Sequence, residues 1–329
     1  MIRSLRFYAP FAFVVCIAWI VAMIADPSLF QTVVQHWPAA LTMVAGSFIG
    51  GASAEGGGAV AFPVFTLILN IPPDSARNFS FAIQSVGMVS ASLLIAGKGI
   101  RIEPRAVIVP SIAAIAGLVL GTHVVVPAIE PVTTKLFFVS LWMAFGVGLW
   151  RSNRNTSRSV VPALPARLSP SDLLILLVAG FCGGVVTSIF GNGVDLLTFC
   201  VLTLWYRMDE RVATPTSVVL MSVLTVTGFF YHRVVLDDFG TIEFNNWLAA
   251  MPVVLVFAPL GALVISSWTR HAIARLLYVI MIVQLIGAIY VLGPSPGHLL
   301  FSAIVLVVGS AVMVAIDMAR QRLSSNPNR

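Results

Sequence analysis

Charge is what this chain has least of. Of its 329 residues 10% are charged and 58% hydrophobic, whereas a soluble domain carries about 25% charged residues. That scarcity excludes a solvated globular surface and the functions that need one. Cysteine is nearly absent as well: Cys16, Cys182 and Cys200 are odd in number and each lies inside an apolar stretch. They predict neither a disulfide framework nor a metal cluster and read as buried small hydrophobes. Catalytic signatures are missing too. There is no HExxH motif and no Gly-x-Ser-x-Gly turn, and the glycine clusters lack the Lys-Ser/Thr ending of a phosphate loop. The run from Gly191 to Asp195 has the look of an intramembrane protease aspartate, but its spacing is wrong and no second aspartate motif accompanies it. His36, His123, His232, His271 and His298 are scattered without metal-ligand spacing. The chain is predicted to be no enzyme, with no cofactor and no metal.

What is present is long apolar runs. Eight stretches, 8–25, 76–97, 105–126, 132–150, 211–235, 243–267, 272–292 and 297–319, have the length and composition of membrane-crossing helices. The first starts beside Arg3 and Arg6, yet no small-x-small cleavage site follows Ala25, so it reads as a retained span. Tryptophans gather near the predicted boundaries, where amphipathic rings anchor helices. The expected fold is an all-α polytopic membrane protein, with residues 1–329 as a single membrane domain.

Two further apolar segments, 37–70 and 173–206, are each interrupted by glycines: GSFIGGASAEGGGAVAFPVFTLILN and GFCGGVVTSIFGNGVDLLTFCVLTLWY. Each is too long for one crossing, and its second arm is short for a full one. In hydrocarbon, backbone N–H and C=O groups stay unpaired only where they are buried in protein or line a cavity. The two segments therefore predict re-entrant helical hairpins, and glycine breaks at matching places in two halves point to a binding site.

With the N-terminus inside, only Arg77, Lys135 and Arg233 of the 19 basic residues fall outside the segments predicted to be cytoplasmic. The net charge of +6 thus records orientation rather than affinity for nucleic acid, and both termini are expected in the cytoplasm. The Arg- and Pro-bearing stretch 151–170 is a cytoplasmic linker between a first repeat, 37–150, and a second, 171–292, with 297–319 as a final transmembrane helix. Gly56 and Gly58 correspond to Gly191 and Gly193, and Asp74 to Asp209. Ala76 and Ser80 correspond to Ala213 and Ser217 after a two-residue insertion. A hairpin followed by three crossings is an odd unit, so the two copies should be inverted.

These segments resemble the TauE/SafE family, whose members include sulfite and organosulfonate exporters. The first half carries the family pattern in Gly50, Gly51, Gly56, Gly57, Gly58 and Pro63. The second copy has Asn192 in the middle of its glycine triplet and Thr198 where the first has Pro63. The resemblance implies export of a small sulfur anion, sulfite or a C2 sulfonate, and the inverted halves read as a secondary transporter of a bacterial inner membrane that works by alternating access. An anion channel, or a carrier of another small anion such as thiosulfate or a carboxylate, stays open beside it.

The chemistry expected of the hairpin tips is anion binding by free backbone N–H groups at the positive ends of half-helices. Gly56, Gly57, Gly58, Gly191 and Gly193 allow the main chain to approach a ligand. Ser53, Asn78, Ser80 and Gln84 from the first half, and Thr187, Ser188, Asn192, Thr216 and Ser217 from the second, are the candidate polar ligands. Arg77 is a candidate anion clamp at the outer mouth, with pairing to Asp74 as the alternative. Glu55 and Asp195 are acids inside the membrane and candidates for proton coupling. The expected partners are a small anion, the lipid bilayer and protons, with no nucleic acid; no oligomeric state is assigned.

Overall fold

The computed structural model describes residues 5–54, 56–154, 161–265 and 267–324. Among them the chain is all-helical, with one isolated β-bridge between Val161 and Met208. The helices are α1 (Tyr8–Ala25), α2 (Ser28–Gln35), α3 (Trp37–Ala52), α4 (Gly58–Pro63), α5 (Pro73–Lys98), α6 (Arg105–Leu120), α7 (Pro131–Arg154), α8 (Pro170–Phe190), α9 (Val194–Cys200), α10 (Glu210–Phe230), α11 (Thr241–Ile265), α12 (Arg270–Leu292) and α13 (Pro296–Ser324). Nine of the described helical stretches are long and apolar enough to cross a membrane. Eight match the expected crossings. The ninth is α8, the first arm of the second interrupted segment, which is 21 residues long.

α8 nevertheless belongs to a hairpin. After the break at Gly191–Gly193 the chain turns back along α9 and its π-helical continuation, 201–205, until the Tyr206 hydroxyl meets Asp172, its Oδ1 at 3.0 Å, in the first turn of α8. The segment thus ends on the face where it began. The first hairpin has the same order of elements, α3 then α4 with a π turn at 64–68. Both inner arms end in matching bonds: Leu69 N–H to Val64 O and Ile71 N–H to Phe65 O in one, Tyr206 N–H to Val201 O and Met208 N–H to Leu202 O in the other. Each is followed by a non-glycine residue at positive φ, Asn70 at 53° and Arg207 at 54°.

The outer arms repeat as well. α3 crosses α11 so closely that a Cβ on Gly51 would lie 1.9 Å from Ala258 O, and one on Gly261 2.0 Å from Phe48 O. α8 crosses α6 with the same residue types in the same places, Gly184 against Ala114 O at 2.1 Å and Gly117 against Phe181 O at 2.1 Å. Small residues permit this because dispersion between closely approaching backbones, rather than expulsion of water, holds helices together in lipid. α5 and α10 pack on each other at the centre, while α1, α12 and α13 lie at the periphery with mostly outward apolar faces. Cys16 and Cys182 face out of the bundle and only Cys200 is buried, which corrects the expectation for two of the three. Helix faces that meet lipid need no burial in protein, so an apolar setting in the sequence does not report packing.

Candidate functional site

The two glycine breaks meet. A Cβ on Gly56 (φ +68°) would lie 2.8 Å from both Asp195 Oδ2 and Gln84 Oε1, and one on Gly58 would lie 2.9 Å from Asn192 Oδ1 and 2.7 Å from Ser80 Oγ. α5 runs past the junction and ties both tips together. Gln84 Oε1 accepts the Gly57 N–H at 3.1 Å, and Gln84 Nε2 donates to Ser80 Oγ at 2.7 Å and to the Gly191 carbonyl at 3.0 Å. Ser80, Gln84, Asn192, Asp195, Thr187 and Ser53 are all buried.

The tip N–H groups have acceptors, which differs from the free donors expected. Asp195 Oδ1 accepts from both Gly193 N–H and Leu196 N–H at 3.0 Å, and Thr187 Oγ1 accepts from Val194 N–H at 2.9 Å. A carboxylate oxygen thus occupies the anion position of the second tip's backbone nest. Its other oxygen, Oδ2, points at Gly56 of the first tip. The chemistry of the junction is therefore that of main-chain donors held by exchangeable side-chain acceptors.

Other candidates lie elsewhere. Ser188 Oγ bonds to the Val185 carbonyl and lies against Gly121, just beyond the end of α6. Ser217, the counterpart of Ser80, bonds back to Thr214 O within its own helix. Glu55 lies outside the described residues.

Arg77, Asn78 and Thr216 belong to two latches at opposite ends of the bundle. At one end Arg77, although buried, pairs with Asp74 at 3.3 Å and Asp238 at 3.7 Å and donates to Asn78 Oδ1. Asn78 Nδ2 donates to the Asp238 carbonyl at 3.0 Å, and His232 Nδ1 lies 3.0 Å from the Asp238 carboxylate. The loop between α10 and α11 is thereby fastened to α5. At the other end the loop between α5 and α6 is fastened to α10, where Glu103 N–H donates to Thr216 Oγ1 at 2.9 Å. Glu103 also holds Arg105 and the Leu164 N–H, and Arg105 reaches the carbonyls of Pro165 and Ala166. Glu103 and Asp238 were not singled out in the sequence. Their only signal was an acid in a loop, which marks no partner.

Against this geometry, the sequence profile of the sulfite exporter TauE/SafE family matches residues 38–291. The chain belongs to the TauE/SafE family. No curated protein and no solved structure matches it. The matched region runs from the start of α3 to the end of α12 and so contains both hairpins, both crossings and both latches. As a TauE/SafE protein with nine membrane-competent helices among the described residues, the chain is a multi-pass membrane transporter of that family.

Proposed function

We propose that this protein exports a small sulfur-containing anion, sulfite or a C2 sulfonate, from the cytoplasm by alternating access, with proton linkage at the hairpin tips. The reading is carried by one observation: a buried Asp195 carboxylate oxygen sits on two backbone N–H groups where the tips meet. A protonated carboxyl is a poorer acceptor and gains a donor hydrogen. Protonation of Asp195 then frees Gly193 N–H and Leu196 N–H for an oxyanion and lets the acid itself donate to that anion. Proton and anion occupy the junction together because each removes the obstacle to the other.

The arginine-rich end, with Arg105 and the linker, is cytoplasmic in this reading, and the Asp238 end is outer. The two halves are inverted copies, and the latches are the two gates. With both fastened the junction is occluded, which suits a carrier rather than a continuous pore. A sulfite dianion that leaves with one proton still carries one negative charge, so an inside-negative potential favours its exit by about 2.3 kcal/mol per 100 mV, while a C2 sulfonate with its proton is neutral and follows its own gradient; neither needs a nucleotide. Glu55, which precedes Gly56 in the sequence, is the second proton candidate.

The test is flux of sulfite, C2 sulfonates, thiosulfate and small carboxylates through proteoliposomes across pH. Saturable sulfite or sulfonate flux that rises as pH falls is expected, and Asp195→Asn or Glu55→Gln should flatten the profile of whichever residue carries the proton. An unchanged profile in both variants removes proton linkage. Currents far above carrier turnover would replace the carrier with a channel.

A further inference from the structure

Beneath the first tip lies a polar feature that the junction does not use. A cavity of about 20 Å³ opens between α3, the end of α5, α10 and α11, which is room for one water-sized occupant. Gly51, Ile95, Ile100 and Ala262 give it apolar or backbone walls, while α10 supplies Glu210 and, one turn later, Thr214. Glu210 is 3% exposed and Thr214 2%. Neither carboxylate oxygen of Glu210 has a hydrogen-bond partner, and neither does Thr214 Oγ1. Three unpartnered oxygen atoms on consecutive turns of one helix thus belong to residues that line a space the size of a single small occupant.

A carboxylate buried without a partner is too costly to persist as a bare charge and calls for a cation beside it. No described side chain pairs with it. Arg211 also lines the cavity but is solvent-exposed and makes no described ion pair with Glu210, and α3, α5 and α11 contribute no titratable side chain to the lining. Carboxylate and hydroxyl oxygens are hard donors, suited to a hard cation rather than a soft one.

We propose that Glu210 and Thr214 form a binding site for a monovalent metal cation, Na⁺, whose occupancy is linked to anion movement; this rests on the carrier reading above. The linkage has a physical route. Gly51 is both a wall of the cavity and the residue at which α3 touches the α11 backbone, so an occupant presses on the arm that carries the first tip. Thr216, which fastens the inner latch, lies on α10 two residues beyond Thr214. A cation arriving from the cytoplasmic end meets the first hairpin and that latch together.

The full-length purified protein tests this by its thermal midpoint in Na⁺ against choline for wild type, Glu210→Gln and Thr214→Val. A Na⁺ site predicts a midpoint raised by Na⁺ in the wild type, with the shift lost in both variants. No Na⁺ response in the wild type overturns the proposal. If Glu210→Gln does not fold, Glu210→Asp replaces it, with a weakened response expected because the shorter carboxylate falls back from the cavity. A Na⁺ response equal to wild type in both variants also overturns it. Sulfite exchange by wild-type proteoliposomes, measured separately, tests the carrier reading alone, so the two failures are distinguishable.

Discussion

Asp195 holds the second tip in shape by accepting two backbone N–H groups on one oxygen while its other oxygen faces Gly56. Asparagine in its place keeps one acceptor and loses the titration, so Asp195→Asn should preserve folding and remove its share of the pH dependence of flux. Gly58 makes a steric demand of a different kind. An added methyl would lie 2.7 Å from Ser80 Oγ and 2.9 Å from the Asn192 side chain, and both neighbours are buried. Overpacking of this sort costs about 1–3 kcal/mol. Gly58→Ala is expected to lower the thermal midpoint of the purified protein and abolish flux; an unaffected variant would show that the tips do not meet as described. The glycines and Asn192 were legible in the sequence because a glycine cluster inside an apolar run has few other uses. That Gln84 and Asp195 fill the tip donors was not legible, since it depends on which side chains α5 and the second tip bring to the break. The two halves also differ here in a way their shared pattern conceals: Met221 of α10 follows Ser217 by the four residues that separate Gln84 from Ser80 on α5.

Helices meet in this protein through repeated small-residue crossings, and the repetition makes a paired prediction. Gly51→Ala and Gly184→Ala would each drive a methyl into a carbonyl oxygen, 1.9 Å and 2.1 Å away, and should lower the thermal midpoint by similar amounts. Gly287, in mid-α12, has open space for 4 Å around the point where a Cβ would stand. Gly287→Ala should leave the midpoint unchanged or raise stability by up to about 1 kcal/mol, because helix propensity alone decides it. The eight crossings and both hairpins were legible from run length and glycine punctuation. The pairing of α3 with α11 and of α6 with α8 was not, because glycine spacing on one helix does not name its neighbour.

The loop between α5 and α6 adds a titrating contact. Burial raises the pKa of the Glu103 carboxyl, but hydrogen bonds from Arg105 and the Leu164 N–H, with the Arg105 charge, outweigh it and hold the group below its ordinary value. A lowered folded pKa contributes stability that is complete above the unfolded value of about 4.3 and is lost as pH falls through the folded value. Acid should therefore loosen the linker from the bundle. Glu103→Gln should show less of this pH response, read by protease cleavage near 161–166 as pH is lowered.

At the scale of the whole molecule the two latches make alternating access a statement about accessibility. Ser80 touches both tips and is buried, so a cysteine there, in a chain whose Cys16, Cys182 and Cys200 have been replaced, reports which end is open. With both latches intact, Ser80→Cys should resist membrane-impermeant thiol reagents from either side. Asp238→Asn weakens the partner of Arg77 and His232. It should raise labelling from the outer side, because a buried arginine with a weakened ion pair favours the state in which it reaches water. Thr216→Val removes the acceptor of the Glu103 N–H and should raise labelling from the cytoplasmic side. The two changes act on one equilibrium, so a carrier gives opposite shifts, and the combined variant should fall between the single ones. If either change alone exposes Ser80→Cys equally to both sides, the tips do not separate two access states, and the latches are braces of a continuous pathway rather than gates.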